Sequence, residues 1–171
     1  MRCCLYPDTE CDRILTGSVT KLVVATLITV SCSTWSVTGG DFKCYEDYRC
    51  ITDTSSPQYQ IQLQAWTDEN GLRRYESYYC VALGSAYGSN IGDKYIITLS
   101  TGFEFVAILA DQKADKDTVD GHTRDRSGAI VEFLVETEAL PYEVRQSGSV
   151  SSIPIFDGEV REIRRLQNDG M

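Results

Sequence analysis

Short apolar runs, separated by glycine-rich or polar segments, dominate the second half of the chain. Runs of about four to eight aromatic and β-branched residues that end at turn residues are typical of β-strands. A Thr-Gly pair at 101–102 separates two of these runs, which predicts a hairpin over 94–111. We expect strands at 77–84, 94–100, 103–111 and 129–136.

The remaining segments complete an all-β pattern that has almost no helical periodicity. Residues 112–128 are polar and predict a loop, 137–149 predict one short helical turn ended by a glycine, and 153–166 predict one or two closing strands. The alternating segment 59–66 predicts a further short strand, followed by a turn at 69–71. A total of about five to seven short strands predicts a small β-barrel.

An apolar run at 22–30 follows Lys21 and leads to Ser31 and Cys32. It is shorter than the ~20 residues of an ordinary membrane-spanning helix. A positive residue, a short apolar stretch and a small-residue exit are features of a signal peptide, and the stretch TVSC is similar to a lipoprotein processing site that would lipidate Cys32. Val, Ile and Thr also favour strands, so a buried strand at 22–31 is the alternative.

These patterns divide the chain into three parts. Residues 1–37 are a leader with a signal peptide, a lipoprotein signal or a membrane anchor, 38–71 are a polar spacer, and 72–171 are the barrel domain. If the leader acts in export, the domain works outside the cytoplasmic membrane and the N-terminal segment is its membrane contact.

The charge balance excludes one class of partner. Lys and Arg total 16 against 25 Asp and Glu, a net charge of -9, whereas nucleic-acid binding needs basic side chains that displace counterions. The seven cysteines include Cys44 and Cys50, which either close a disulfide loop or remain free thiols. Cys80 lies within a predicted strand and is interpreted as a core residue.

The chain offers poor material for a metal site. His122 is the single histidine, and no CxxC pair is present, which disfavours a Cys/His zinc site. The acidic segment 115–121 does not follow the EF-hand spacing. We therefore expect no metal and no cofactor.

Two acidic residues occupy unusual positions in the predicted strands. Alternation along 103–111 places Asp111 on the same face as Phe105 and Leu109, where partial desolvation would raise the pKa of its carboxyl. Glu132 lies in the middle of a strand between apolar neighbours. The two acids are candidates for one groove, although a loop-capping role for Asp111 and a solvent-facing position for Glu132 are the alternatives.

The loop that follows Asp111 is crowded with polar side chains, of which Lys113, Asp115 and Thr118 are candidates for substrate binding. Lys113, Asp115, Asp117 and Thr118 all lie within seven positions of Asp111. Surface residues with no ligand are the alternative interpretation for these side chains. Sugar stacking is a further possibility for Tyr78, Tyr87 and Phe105, for which core packing is the alternative.

The stretch YYCVALGSAYGSNIGDKYIITLSTGFEFVAILADQKAD, with GAIVEFLVE after it, resembles the double-psi β-barrel group. Within that group it is similar to the three-aspartate domain of bacterial cell-wall proteins and to exported proteins of Gram-positive bacteria and mobile elements. The resemblance covers 72–165 and implies a six-stranded double-psi β-barrel at the cell envelope. Gln112 and Lys113 stand where that family has Thr and Gly, and Glu132 stands where it has Asp.

The resemblance also implies a function. Relatives of the three-aspartate domain, together with the barrel of a lytic transglycosylase, cleave peptidoglycan glycan strands, and Asp111 and Glu132 match their two acids. It implies Asp111 as the acid and base and Glu132 as its partner, with the reverse assignment open. Lys113, Asp115, Thr118 and Tyr87 would contact the glycan. A non-catalytic glycan-binding or structural module at the cell surface, or in a phage or mobile-element assembly, is the alternative function.

Overall fold

The computed structural model describes residues 33–38 and 43–167, which form mostly β-sheet with few helices. The two α-helices are α1, Pro57–Gln64, and α2, Tyr142–Ser147, and several single-turn 3-10 helices connect the strands. Within the described part of the chain, no helix is long and apolar enough to cross a membrane. The strands are β1 Thr34–Ser36, β2 Cys44–Asp47, β3 Trp66–Thr67, β4 Arg73–Tyr75, β5 Tyr78–Leu83, β6 Lys94–Leu99, β7 Glu104–Gln112, β8 Thr118–Val119, β9 Arg124–Asp125, β10 Glu132–Val135 and β11 Val160–Arg165.

One large sheet carries nine of these strands, in the order β1-β11-β6-β7-β5-β10-β2, with β4 paired to β5 and β3 paired to β4. The pairs β5–β7 and β2–β10 are parallel, and the other pairs are antiparallel. Strands β8 and β9 form a separate two-stranded ribbon. The all-β expectation is confirmed, while the pairing among the described residues runs as an open path from β1 to β2 and no closed ring is seen.

The strongest strand predictions are confirmed. The predicted strands at 77–84, 94–100, 103–111 and 129–136 correspond to β5, β6, β7 and β10, and β6 pairs with β7 as a hairpin. The predicted helical turn is α2, which ends at Gly148 in the left-handed conformation with φ of 71°. The predicted loop at 112–128 contains the β8–β9 ribbon, which was not expected.

The segment before the sheet departs from the sequence analysis in two ways. Residues 59–66 were expected as a strand, but most of them belong to α1, which begins at Pro57 after the Ser56 side chain accepts a hydrogen bond from the N–H of Tyr59. The proposed spacer is part of the fold, because β2 pairs in parallel with β10 over four residues and α1 covers the sheet. Residues 34–36, at the end of the expected leader, form β1 and pair with β11. The apolar run at 22–30 lies outside the described residues.

The sheet has two buried faces. The larger core includes an aromatic cluster in which Phe156 lies 5.1–6.0 Å, between ring centroids, from four other rings. On the opposite face, Cys80, Ile108, Ala110 and Leu134 form a smaller apolar cluster under α1. The predicted core position of Cys80 is confirmed, because its side chain is fully buried. The four rings around Phe156 belong to Tyr79, Phe103, Phe105 and Phe133.

Candidate functional site

The candidate site begins with a row of side chains that crosses four neighbouring strands. Ala82 on β5 pairs with Asp111 on β7 and with Glu132 on β10, and Glu132 pairs in turn with Cys44 on β2. Side chains of paired residues project from the same face of a sheet. Asp111 and Glu132 therefore flank the small side chain of Ala82, which leaves room between the two carboxyl groups.

A β-bulge decides which face Asp111 occupies. Val81 pairs with Leu109 but Ala82 pairs with Asp111, so Ala110 is an extra residue in β7. Regular alternation would place Asp111 with Leu109 on the face of the main core, as the sequence analysis expected. That expectation is wrong, because the bulge turns Asp111 to the other face, which carries Ala82 and Glu132.

These side chains line a cleft of about 510 Å³, which lies where β7 ends and β10 begins. Of the predicted site residues, Asp111, Lys113 and Glu132 all lie in its wall. Of the described residues that line the cleft, Lys113 alone carries a positive charge, against five carboxyl groups. The lining residues are Tyr45, Glu46, Ala82, Asp111, Gln112, Lys113, Ala114, Asp117, Asp125 and Glu132.

A buried ion cluster holds one side of the cleft together. The Lys113 side chain is only 3% exposed, and its Nζ lies 2.8 Å from Asp125 Oδ2 and 3.4 Å from Glu132 Oε2. The thiol of Cys44 lies 3.4 Å from the other carboxylate oxygen, Glu132 Oε1, to which it donates. Both oxygens of Glu132 therefore have a donor.

Asp125 is fixed by the turn that follows it. Its Oδ1 accepts from the backbone N–H groups of Ser127 and Ala129 at 2.8 and 3.0 Å, and from the Ser127 hydroxyl at 2.6 Å. Burial alone would raise the pKa of Asp125, but the bonds from Lys113 and Ser127 outweigh burial and lower it to about 2. The Asp125 carboxylate is thus ionised at any pH near neutrality.

Asp111 has the opposite character. Burial raises the pKa of its carboxyl, and the charge of Glu132 raises it further, while hydrogen bonds from the backbone N–H of Gln112 and from Gln58 only partly offset this rise. The pKa of Glu46 is also raised, by burial first and then by Glu132 and Asp111. The cleft therefore combines two carboxyl groups whose pKa is raised, Asp111 and Glu46, with Asp125, whose pKa is lowered.

The other predicted site residues lie outside the wall of the cleft. Asp115 is exposed on the loop and accepts from the Ser85 hydroxyl at 2.6 Å. Thr118 is nearly buried, donates to the backbone carbonyl of Asp115 and lies 2.7 Å from Nδ1 of His122. Tyr87 is buried in the main core, where its ring packs edge-on against Trp35. The sugar-stacking hypothesis for Tyr87 is therefore corrected to core packing.

Several residues of the cleft were missed by the sequence analysis. Glu46 enters the cleft, and Cys44 joins the ion cluster beside it, because β2 pairs with β10, a long-range contact that no local pattern marks. The sequence around Asp125, with Ser127 and Gly128 after it, is typical of an Asx turn. No feature of the sequence predicted that Asp125 pairs with Lys113. Cys44, Cys50 and Cys80 are free thiols, which decides against a Cys44–Cys50 disulfide.

Metal ligation finds no support in the geometry, since the described residues contain no group of three or more His, Cys, Asp or Glu side chains arranged to hold an ion. Searches with family models, against curated proteins and against solved structures found no match to this chain. A functional assignment therefore depends on the chemistry of the cleft.

Proposed function

We propose that the protein cleaves the glycan strands of peptidoglycan as a lytic transglycosylase, with Asp111 as the acid and base and Glu132 as its ionised partner. One observation carries the proposal. A carboxyl with a raised pKa, Asp111, shares an open cleft with a second carboxyl, Glu132, whose two oxygens both accept hydrogen bonds. A raised pKa favours the protonated form that a general acid needs, and an ionised neighbour stabilises positive charge at a sugar carbon.

The proposed reaction uses one titrating group twice. The Asp111 carboxylic acid gives its proton to the glycosidic oxygen between N-acetylmuramic acid and N-acetylglucosamine, and the bond from the anomeric carbon to that oxygen breaks. The Asp111 carboxylate then takes the proton of the 6-hydroxyl of the same muramic acid residue, whose oxygen forms the new bond to the anomeric carbon. The products are a 1,6-anhydro sugar and a free 4-hydroxyl, and Asp111 is protonated again.

The assignment of the two acids follows from their surroundings. Glu132 is held by Lys113 and by the Cys44 thiol, so its charge is compensated and its oxygens are occupied. Among the described residues, no cation holds Asp111 in a comparable way, and the burial of Asp111 favours the neutral acid. Lys113 lies in the wall with only 3% of its side chain exposed, so it holds Glu132 and Asp125 in place and is a poor glycan ligand.

The proposal includes a fold and a location. Two parallel strand pairs within an otherwise antiparallel sheet, together with the family resemblance of 72–165, support a double-psi β-barrel, and an experimental structure that includes the whole chain tests ring closure. An envelope location rests on the leader at 1–37. Mass spectrometry of the mature N-terminus tests it, since cleavage or lipidation near Cys32 supports export and an intact unmodified leader in the cytoplasmic fraction contradicts it.

The decisive experiment is digestion of purified peptidoglycan, with the released muropeptides identified by mass spectrometry. The wild type should release 1,6-anhydro products, and Asp111→Asn should lower the rate by at least ~100-fold, the scale of general acid–base catalysis. Asp157→Asn, a matched change at an exposed residue outside the lining of the cleft, should retain the activity.

Three outcomes contradict the assignment. Products with a reducing end show hydrolysis in place of transglycosylation, and undiminished activity of Asp111→Asn removes this residue from the reaction. Binding of the wild type to peptidoglycan without cleavage favours the alternative, a non-catalytic glycan-binding module.

A further inference from the structure

The two acids of the cleft, Asp111 and Glu132, have different surroundings. We propose that Lys113, together with the Cys44 thiol and Asp125, is a positioning group that keeps Glu132 ionised and thereby leaves the exchangeable proton of the cleft on Asp111. The location of the proton is a property of the folded protein, and only its catalytic meaning rests on the proposed function.

The geometry around Glu132 is the first step. Its Oε2 faces the Lys113 ammonium at 3.4 Å, and its Oε1 faces the Cys44 sulfur at 3.4 Å. A protonated Glu132 would have to give up one of these donors, because a carboxylic acid oxygen that carries a proton is a poor acceptor. The arrangement therefore favours the carboxylate form, in which both oxygens accept.

The fixed position of Lys113 is the second step. It follows β7 directly, two residues after Asp111, and its backbone N–H donates to the carbonyl of Leu83 at 3.0 Å. Its ammonium also lies 2.8 Å from Asp125 Oδ2, which is itself held by the turn at 125–129. Both the backbone and the ammonium of Lys113 are thus held in place, so the ammonium has little freedom to move towards Asp111.

The balance of charge is the third step. The groups that face Glu132 are Cys44 and Glu46 from β2, Asp111 from β7, Lys113 and Asp117 from the loop, and Asp125 from β9. One ammonium cannot compensate five carboxylates in a partly dry cleft, and the pKa values of Asp111 and Glu46 are raised, by burial first and then by neighbouring carboxylates. Burial lowers the pKa of Lys113, but the neighbouring carboxylates of Glu132 and Asp125 raise it, so the ammonium persists.

The cysteine in this cluster acts as a neutral donor. Burial, followed by the neighbouring carboxylate of Glu132, raises the pKa of Cys44 well above its usual value. A thiol that stays protonated donates to Glu132 without adding a negative charge to the cleft.

The test is a carbon-detected NMR titration of the Asp and Glu carboxyl groups in the full chain. In Lys113→Met, which keeps the length of the buried side chain and removes its charge, the pKa of Glu132 should rise by about one unit or more, and that of Asp111 should fall because its neighbour is no longer ionised. Lys116→Met, a matched change on the exposed loop, should leave both titrations as in the wild type.

Two further variants keep the test open if Lys113→Met folds poorly. Lys113→Arg should restore the wild-type order of the two titrations, and Cys44→Ala, which removes only the thiol donor, should raise the pKa of Glu132 by a smaller amount. Unchanged Asp111 and Glu132 titrations in Lys113→Met and Cys44→Ala overturn the inference, as does an equal shift in Lys116→Met.

An activity readout separates this inference from the proposed function. If Asp111 must be protonated to act, the rate falls as the pH rises through its pKa, and Lys113→Met should move this alkaline limb of kcat to lower pH with little change in KM. If the protein cleaves no glycan, the titrations still decide where the proton lies. If it cleaves glycan and the titrations of the two acids do not respond, the positioning role fails alone.

Discussion

At the scale of single residues, Asp47 joins three parts of the chain. It ends β2, accepts from the backbone N–H and the guanidinium of Arg49, and accepts from the backbone N–H of Thr137 at 3.0 Å. The bonds from Arg49, and after them those from Thr137, lower the pKa of the Asp47 carboxyl well below its usual range. This carboxylate ties the end of β2 to the segment that follows β10.

Replacing Asp47 by Asn removes the charge and keeps the shape. We expect the free energy of unfolding at neutral pH to fall by about 1–2 kcal/mol, near the low end of what hydrogen bonds to a charged group contribute, because the Arg49 partner is half exposed. Because the folded-state pKa is lowered, the wild-type advantage is present above the unfolded pKa of about 3.9 and disappears as the pH falls through the folded value. Urea denaturation of both proteins between pH 7 and pH 3 measures this difference.

The matched control is Glu69→Gln, at the exposed residue of the turn at 69–71. A constant difference in stability between wild type and Asp47→Asn at all pH values would show that the charge of Asp47 has no role.

The two central acids of the site were visible in the sequence, but their arrangement was not. Asp111 and Glu132 stand out because carboxyls are rare at the end and in the middle of apolar strands. Alternation nevertheless gave the wrong face for Asp111, because the bulge at Ala110 depends on how β7 pairs with β5. A single extra residue reverses the face of everything after it, and no composition signal marks it.

At the scale of elements, the loop between β7 and β10 docks on the end of β5 through a glycine. A Cβ atom on Gly84 would lie 1.9 Å from the backbone oxygen of His122, far inside contact distance. His122 itself has a positive φ of 65°, so this part of the loop has a conformation that tolerates little adjustment. The same loop carries Asp125 into the cleft.

Gly84→Ala should therefore push the loop away from β5. We expect a loss of stability of several kcal/mol, or partial detachment of the loop, which hydrogen exchange of residues 118–125 would detect. Gly148→Ala is the matched control, since Gly148 has a φ of 71° with open space around its Cβ position, and its cost should be only about 1 kcal/mol of backbone strain. Equal effects of the two substitutions would contradict the docking contact.

The sequence of α1 explains why residues 59–66 were expected as a strand. Alternating apolar residues at 59–65 have the period of a strand, but Ile61 and Ala65 are also four residues apart, which suits a helix face. Both side chains pack on the smaller apolar cluster, and the buried Arg73 donates to Gln62 on the adjacent face. Tertiary contacts, together with the cap at Ser56, decide between the two periods.

At the scale of the whole molecule, the sheet separates a large core from a small one. The large core is centred on Phe156, which is fully buried, and draws side chains from most of the strands. The small core joins α1 and the segment after β2 to the opposite face, beside the cleft. The strands of the main sheet could be read from the sequence, whereas the pairing of β2 with β10 and the small core depend on contacts between distant segments.

This division predicts two different responses to loss of a side chain. Phe156→Ala should destabilise the protein by about 3–5 kcal/mol, because it removes a ring at the centre of the aromatic cluster and leaves a cavity. Ile61→Ala, on the half-buried face of α1, should cost less, about 1–2 kcal/mol, since less apolar surface is lost from a partly exposed site.

Native-state hydrogen exchange distinguishes the two effects. Phe156→Ala should speed exchange of the slowest amides throughout β5, β6, β7 and β10, because these open only when the whole domain unfolds. Ile61→Ala should speed exchange mainly in α1, whose opening exposes the small core and the Gln58 side of the cleft while the main sheet stays folded. If both substitutions accelerate the same amides to the same degree, the two cores unfold as one unit, and the helix that borders the cleft has no independent motion.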